Sequence, residues 1–261
     1  MESLAKAKSD TAMMHTVTVE LDEYLCGGCS VASSSDGLAE SRMAFFKEGF
    51  VLCDGVGDVP GGGRPMAELA VWECSRLLRA GLNAEDALIG AGRLISRASL
   101  LVESGGTTVL VGKFCSDGSI EVCSAGDTLG FSVGKGAAKP IGGSGWGSNA
   151  VTECLGAARA GAPKRGTYGA SRVRVSPGEW LCLMTGGAWR SVPLMSMSSI
   201  CRDCVGAPQD AARYLAEAAK CYGVYGDVAV AVIERVARVS SKRDRKALQR
   251  SGVRLRRAVV E

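Results

Sequence analysis

Short apolar stretches separated by glycine-rich turns make up most of the chain, and three stretches with apolar residues at helical spacing interrupt them. The strand-like stretches span residues 16–21, 49–54, 107–114, 120–125, 129–133, 172–175, 180–185 and 228–236. The helical stretches span residues 65–79, 83–101 and 209–222. Because two adjacent helices lie amid many short strands, the pattern predicts an α+β layered sandwich.

Turn and capping residues support several of these boundaries. Pro65 lies in the first turn of the first helix, where proline is favoured. Asn83 is predicted to cap the second helix, with Asp86 three residues later. The Pro-Gly pair at residues 177–178 separates two strand-like stretches, and it therefore predicts a hairpin between them.

Composition narrows the class of protein. A chain of 261 residues with 46% hydrophobic residues is long enough to bury the core of one domain. No run approaches the roughly 20 apolar residues needed to cross a bilayer, so we expect no membrane association. The eleven cysteines are odd in number and several stand singly in apolar runs, which is typical of reduced, buried thiols in an intracellular protein. His15 is the single histidine, so a histidine-activated nucleophile has little basis.

Charge divides the chain unevenly. Residues 235–261 contain ten Lys or Arg against two acids, a net charge of +8, whereas the whole chain is +4 and the remainder is therefore −4. Such a tail is either a solvated, disordered extension or a contact with RNA or with an acidic protein surface, and we prefer the contact. The predicted contact residues are Arg238, Lys242, Arg243, Arg245, Lys246, Arg250, Arg254, Arg256 and Arg257. We accordingly divide the chain into an N-terminal extension (1–15), a domain (16–236) and a basic tail (237–261).

Five segments lie at the ends of predicted strands, and four of them contain an Asp-Gly, Gly-Thr or Gly-Asp pair. They are residues 51–57 (VLCDGVG), 105–108 (GGTT), 124–128 (SAGDT), 177–189 (PGEWLCLMTGGAW) and 226–230 (GDVAV). In order and spacing they resemble the motifs of the metal-dependent protein phosphatases (the protein phosphatase 2C, or PPM, family), and the likeness spans residues 38–234. The resemblance implies a four-layer α/β/β/α sandwich, in which helices flank two antiparallel sheets. The Asp-Gly-Val-Gly motif and the short spacing are most similar to the mitochondrial-type branch of the family. This resemblance implies a mitochondrial location, with the cytoplasm as the alternative.

The resemblance also implies a metal site, and most of its acids are missing here. Members of the family hold two Mg or Mn ions with four main carboxylates. The second acid corresponds to Asp54, and the carbonyl of Gly55 stands beside it. The other three positions fall on residues without a carboxylate, namely Ser41 or Arg42, Gly186, and Gly226.

Electrostatics argues against two metal ions at such a site. Two doubly charged cations about 4 Å apart repel by about 16 kcal/mol at an effective dielectric of about 20. Four carboxylates nearly neutralise the pair, whereas Asp54 alone does not. We therefore expect no ordinary phosphatase reaction, and at most one weakly held Mg or Mn ion at Asp54 and Gly55. Asp127 is predicted to be structural and to bond the backbone of its turn.

Two Cys-X-X-Cys pairs suggest a second chemistry. Cys26 with Cys29, and Cys201 with Cys204, supply the four thiolates of a tetrahedral zinc site. The usual separation of such pairs is about 15–20 residues, whereas here it is about 170, so the pairs must meet through the fold. A structural zinc site is therefore a conditional prediction, and separate thiols are the alternative.

These observations predict a catalytically inactive phosphatase-like protein, or pseudophosphatase, that acts by binding. The preferred hypothesis is a structural or assembly component of a larger complex, in particular a mitochondrial ribonucleoprotein such as the ribosome, with the basic tail on RNA or a partner protein. One alternative is an atypical Mg- or Mn-dependent Ser/Thr phosphatase with a metal site rebuilt from Glu40, Asp54 and Asp227. A second alternative is a phosphate- or nucleotide-sensing domain without catalysis.

Overall fold

In the computed structural model, the described residues are 14–21, 23–33, 39–57, 62–102, 105–141, 154–156, 168–224 and 226–236. Their strands are β1 (Met14–Glu20), β2 (Tyr24–Val31), β3 (Arg42–Phe46), β4 (Gly49–Val56), β5 (Gly106–Phe114), β6 (Ser119–Ala125), β7 (Leu129–Val133), β8 (Lys139–Ile141), β9 (Gly169–Arg174), β10 (Trp180–Met184) and β11 (Val228–Arg235). They form a six-stranded sheet in the order β1-β2-β11-β10-β7-β8 and a five-stranded sheet in the order β3-β4-β5-β6-β9. The paired strands in both sheets are antiparallel.

Helices cover the outer face of each sheet. The helices are α1 (Arg64–Arg79), α2 (Ala84–Val102), α3 (Gly186–Ser191), α4 (Leu194–Asp203) and α5 (Pro208–Cys221). The first two pack on the five-stranded sheet and the last three on the six-stranded sheet, while a third core fills the space between the sheets. The predicted four-layer α/β/β/α sandwich is confirmed. The predicted cap is also present, because the backbone N–H of Asp86 donates to Asn83 Oδ1 at 2.7 Å.

The continuous apolar runs of the sequence are the strands that lie in the middle of the sandwich. In β11, Val228, Val230 and Val232 face the helices, whereas Ala229 and Ile233 face the other sheet. Because both faces of the strand are covered, apolar residues occupy every position from Val228 to Ile233 instead of alternate positions.

The predicted hairpin around residues 177–178 is wrong. β9 pairs with β6 in the five-stranded sheet, whereas β10 pairs with β7 and β11 in the other sheet. The Pro-Gly turn is real, with Gly178 at φ +81°, but the chain passes from one sheet to the other there. Turn chemistry reports a local reversal and does not specify the strand's partner.

Three strands, β2, β3 and β8, and the two helices α3 and α4 were not predicted. Glycines at the centre of β2 hide its pattern, since glycine is unfavourable inside strands. Gly27 is required by packing, because a Cβ there would lie 2.1 Å from the backbone nitrogen of Gln209 in the first turn of α5. Among the described helices, none is both long enough and apolar enough to span a bilayer.

Candidate functional site

Asp54 lies near the end of β4, directly beside Ser41. The register of β3 and β4 pairs Arg42 with Cys53, which places Ser41 opposite Asp54. The Ser41 hydroxyl donates to Asp54 Oδ1 at 2.7 Å. The first missing acid therefore corresponds to Ser41 and not to Arg42, and a neutral hydrogen-bond donor stands where the resemblance implies a carboxylate.

Arg42 points to the other face of β3, away from Asp54. Its guanidinium donates to Glu68 Oε1 at 3.0 and 3.1 Å, and to the carbonyl oxygens of Ala39 and Ser41. These bonds use the fork of the side chain to hold β3 against helix α1.

The Asp-Gly pair packs closely against the start of α1. A Cβ at Gly55 would lie 2.5 Å from the carbonyl carbon of Gly63, so only glycine permits this approach of the two backbones. The Thr107 hydroxyl donates to the backbone carbonyl of Asp54 at 3.0 Å. The strand end that carries Asp54 is therefore held by backbone packing and by β5.

An ion pair occupies the space of the third acid. Arg190 Nη1 lies 2.7 Å from Asp127 Oδ2, and the Asp127 side chain is only 7% exposed. A Cβ built on Gly186 would lie 1.9 Å from Asp127 Oδ2 and 2.7 Å from Arg190 Nη1. The Trp189 ring N–H also donates to the Asp127 carbonyl at 2.7 Å. Asp127 is thus structural as predicted, but its carboxylate pairs with Arg190, which the sequence analysis missed.

The fourth position is open, and a lysine lies beside it. A Cβ on Gly226 would meet nothing within 4 Å. Lys220 Nζ donates to the Gly226 carbonyl at 2.7 Å and to Ser33 Oγ at 2.6 Å. Burial lowers the pKa of Lys220, and the charge of Asp227 acts in the opposite direction. Sequence reasoning missed this lysine too, because it lies six residues before the motif on helix α5.

Asp227 holds backbone and does not point a free carboxylate at Asp54. Its Oδ1 accepts the Ser33 N–H at 2.7 Å and its Oδ2 accepts the Glu40 N–H at 2.5 Å. The carboxylate therefore ties the end of β2 to the start of β3 across the site.

The surroundings of Asp54 disfavour its charge. Burial and, to a lesser degree, the negative charges of Asp127, Asp227 and Glu40 raise its pKa to about 7, against the hydrogen bond from Ser41, which lowers it. A cation that binds Asp54 must therefore compete with a proton at pH values below about 7.

Solved structures with the same architecture are phosphatases. The serine/threonine phosphatase PstP of Mycobacterium tuberculosis superposes with a TM-score of 0.69 at 15% identity, over 82% of this chain and 100% of that chain. A catalytic domain of the serine/threonine phosphatase PstP in complex with two manganese ions gives 0.65 at 16% identity, over 82% and 99%. The serine/threonine phosphatase of S. agalactiae gives 0.66 at 14% identity, over 86% and 100%. The chain has the fold of the PPM phosphatases. No model of a protein family and no curated protein sequence matches it.

The side chains of the described residues in this cleft do not form a donor set that fits two metal ions. Within the described ranges, no group of three or more His, Cys, Asp or Glu side chains is arranged to hold a metal. Ser41 replaces one acid, and the Asp127–Arg190 pair fills the space of another. A guanidinium adds positive charge where a cation would need negative charge, so the misfit is electrostatic as well as geometric.

Among the described residues, the four cysteines of the two Cys-X-X-Cys pairs are not grouped as zinc ligands, and the conditional zinc site stays a prediction. Residues three apart on a strand point to opposite faces, and Cys26 lies in the core between the sheets while Cys29 lies in the core beneath the helices. Burial raises the pKa of both thiols, that of Cys29 to about 11, which opposes the thiolate form that zinc needs. Cys201 instead lies with its sulfur 3.4 Å from that of Cys182, and Cys204 lies in the same helix-facing core.

The basic tail lies outside the described residues. This includes every predicted RNA or partner contact from Arg238 to Arg257. Those contacts stay predictions.

A neutral substitute for Asp54 is expected to stabilise the PPM domain in a pH-dependent way. The folded-state pKa of about 7 lies above the ordinary value of 3.8, so the favourable contribution of the neutral form is complete below about pH 4 and is lost as pH rises to 7. The free energy of unfolding of Asp54→Asn, relative to the natural chain, should therefore rise by about 2 kcal/mol from pH 5 to pH 8. This figure is reduced for partial exposure of Asp54 and for the altered bond to Ser41.

Urea unfolding at pH 5, 6, 7 and 8 measures this gain. Asp117→Asn is the control, because Asp117 is exposed and its pKa is lowered by its bonds from Ser119, so it stays ionised across this range. An Asp54→Asn gain that is the same at every pH would show that Asp54 carries its charge without cost.

Proposed function

We propose that this chain is a non-catalytic protein with a PPM fold, and that it acts by binding as a component of a larger complex. The observation that carries the proposal is the Asp127–Arg190 ion pair, which fills the space where the third metal-binding carboxylate would stand. The PstP catalytic domain, which has the same fold, forms a complex with two manganese ions. This chain has a guanidinium and a glycine where the family's third acid would stand.

Fixed side-chain cations take over the electrostatic role that metal ions would have. Arg190 pairs with Asp127, and Lys220 lies close enough to Asp227 for the two charges to interact. Ser41 donates to Asp54. Asp54, Asp127 and Asp227 therefore each have a partner within the protein.

The basic tail supports a binding role. Residues 235–261 carry a net charge of +8 on a body of net −4, so a polyanion or an acidic surface is attracted to one end of the chain. RNA within a ribonucleoprotein supplies such a polyanion. The resemblance of the motifs to the mitochondrial-type branch favours the mitochondrial ribosome or its assembly as the complex. The tail is then the contact and the PPM domain is a scaffold.

Turnover of an aryl phosphate with Mn²⁺ tests the loss of catalysis. We expect the natural chain to hydrolyse the aryl phosphate no faster than the Asp54→Asn variant does. One partly protonated carboxylate does not hold two ions with the attacking water between them. Activity that survives in Asp54→Asn belongs to a contaminant and agrees with the proposal. Activity that disappears in that variant would overturn it and favour the phosphatase with a rebuilt metal site.

Deleting residues 237–261 is expected to weaken RNA binding by about tenfold or more at 0.1 M salt, and to flatten the salt dependence of the affinity. The deletion removes nine Lys or Arg residues. Filter binding of a labelled single-stranded RNA between about 50 and 200 mM salt measures both quantities. The control keeps every charge and changes the leucines and valines of the tail to serine. Equal RNA affinity for the full and shortened chains would remove the tail from the proposal.

A further inference from the structure

A groove of about 510 Å³ runs between strand β3 and helix α1, and Asp54 is not among its lining residues. Its wall on the strand side includes Arg42 and Ala44, and its wall on the helix side includes Trp72, Ser75 and Arg79. It is lined mostly by apolar surface. Neither the metal motifs nor the basic tail explains it.

The floor of the groove is an open sheet edge. β3 is the terminal strand of its sheet, and within the described residues no strand pairs with its outer side. β3 and β4 are joined by a two-residue turn, so Phe46 and Gly49 form a hydrogen-bonded pair. By alternation, the backbone N–H and C=O groups of Met43 and Phe45 then face away from β4. An exposed edge of this kind is a template for another strand.

The helix wall presents an anchor and an unsatisfied hydroxyl. Trp72, Ser75 and Arg79 recur at helical spacing and lie on the same side of α1. Trp72 is 58% exposed, which is unusual for so large an apolar side chain. Ser75 is 5% exposed, and its Oγ has no hydrogen-bond partner among the described residues. A buried hydroxyl without a partner is costly unless a ligand supplies one.

Charge selects the occupant. Arg42, Arg76 and Arg79 line the groove against Glu68, a net charge of +2. Arg42 and Arg76 already pair with Glu68 and Glu73, whereas the guanidinium of Arg79 lies 4.7 Å from the centre of the Phe46 ring. The basic tail of this chain would be repelled, and a second copy would bring two positive grooves together. RNA satisfies the charge but lacks the alternating N–H and C=O groups that the edge of β3 needs.

We propose that this groove binds an extended acidic segment of a partner protein, which adds to β3 as a further strand. Main-chain hydrogen bonds to the edge supply affinity, and side chains that drop into the groove supply specificity. An apolar side chain of the segment covers Trp72, a polar group satisfies Ser75 Oγ, and acids lie near Arg79. The inference does not depend on whether the cleft at Asp54 is catalytic.

Fluorescence anisotropy with the full chain tests the proposal. The probe is a short labelled peptide that alternates glutamate with valine around a central phenylalanine, and a copy with lysine in place of glutamate tests charge. We expect saturable binding of the acidic peptide and an affinity at least about tenfold lower for the lysine copy. Trp72→Ala should lower the affinity for the acidic peptide by about tenfold or more. Methylating alternate backbone nitrogens of the acidic peptide on the side that pairs with β3 should abolish binding, because those N–H groups are lost.

Tyr222→Ala is the matched control, since Tyr222 is also 58% exposed and lies at the end of α5, away from the groove. It should leave the peptide affinity unchanged within about twofold. Three results would each overturn the proposal: no binding of the acidic peptide up to about 1 mM, equal binding by the Trp72→Ala variant, or equal binding by the methylated peptide. Binding of oligouridylate RNA that depends on Trp72, without binding of the peptide, would assign the groove to nucleic acid instead.

Discussion

Replacing Gly186 with aspartate, the acid that the phosphatase motif carries, is expected to destabilise the protein by about 4 kcal/mol and to restore no activity. The first atom of the new side chain would lie 1.9 Å from Asp127 Oδ2, inside any allowed contact. A second carboxylate beside Asp127 would also compete for Arg190, so one of the two negative charges would lose its partner. The motif therefore cannot be repaired at this position by a single substitution.

Gly226→Asp is the matched control for this prediction. A Cβ at Gly226 meets nothing within 4 Å, so the same substitution at the fourth acid position should be tolerated with little loss of stability. Urea unfolding monitored by circular dichroism compares the two variants. Equal stability for Gly186→Asp and the natural chain would show that the Asp127–Arg190 pair moves aside easily and that the site is merely empty.

Replacing Arg190 with leucine is expected to cost about 3 kcal/mol of unfolding free energy, because it leaves the buried carboxylate of Asp127 without its partner. The Asp127 side chain is 7% exposed and that of Arg190 is 28% exposed, so the remaining charge stays largely removed from water. Adding Asp127→Asn to Arg190→Leu should recover much of the loss, since the second change removes the unpaired charge. A double-mutant cycle measures this coupling.

An arginine whose partner carboxylate is exposed serves as the control for Arg190. Arg213 pairs with Glu217 at 2.9 Å; the two arginines are similarly exposed at 32% and 28%, but Glu217 is 42% exposed against 7% for Asp127. Arg213→Leu should leave stability nearly unchanged, because exposed pairs are screened by solvent. If Arg190→Leu were as mild as Arg213→Leu, or if Asp127→Asn gave no recovery, the Asp127–Arg190 pair would not be what holds this part of the cleft.

The fold could be predicted because its evidence is local and repeated. Five motifs in order place turns at strand ends, and runs such as residues 228–233 are apolar at every position because both faces of their strands are covered. What failed depends on partners far apart in the chain. The Pro-Gly turn at residues 177–178 shows a reversal but not that β9 and β10 belong to different sheets. Likewise, the spacing of Cys26 and Cys29 does not show that both lie on one strand and face different cores.

For the candidate site, the sequence predicted which carboxylates are missing but not which side chains take their place. The absence of carboxylates at Gly186 and Gly226 is visible in the sequence, but what fills the space is not. One signal for Arg190 was available: it lies four residues after Gly186, one helical turn on, so an arginine on that face returns towards the missing acid. The position of Ser41 needed the register of β3 with β4, because a small gap in the motif leaves Ser41 and Arg42 equally good.

Counting bound manganese tests the central claim most directly, namely that this PPM cleft is held by side-chain cations and not by metal ions. The measurement is an electron paramagnetic resonance titration of the full chain with Mn²⁺ at pH 8, where Asp54 is mostly ionised and binding is most favoured. We predict at most one ion per chain, bound more weakly than about 0.1 mM and lost in Asp54→Asn. Two ions per chain bound at micromolar concentration, both lost in Asp54→Asn, would contradict the account.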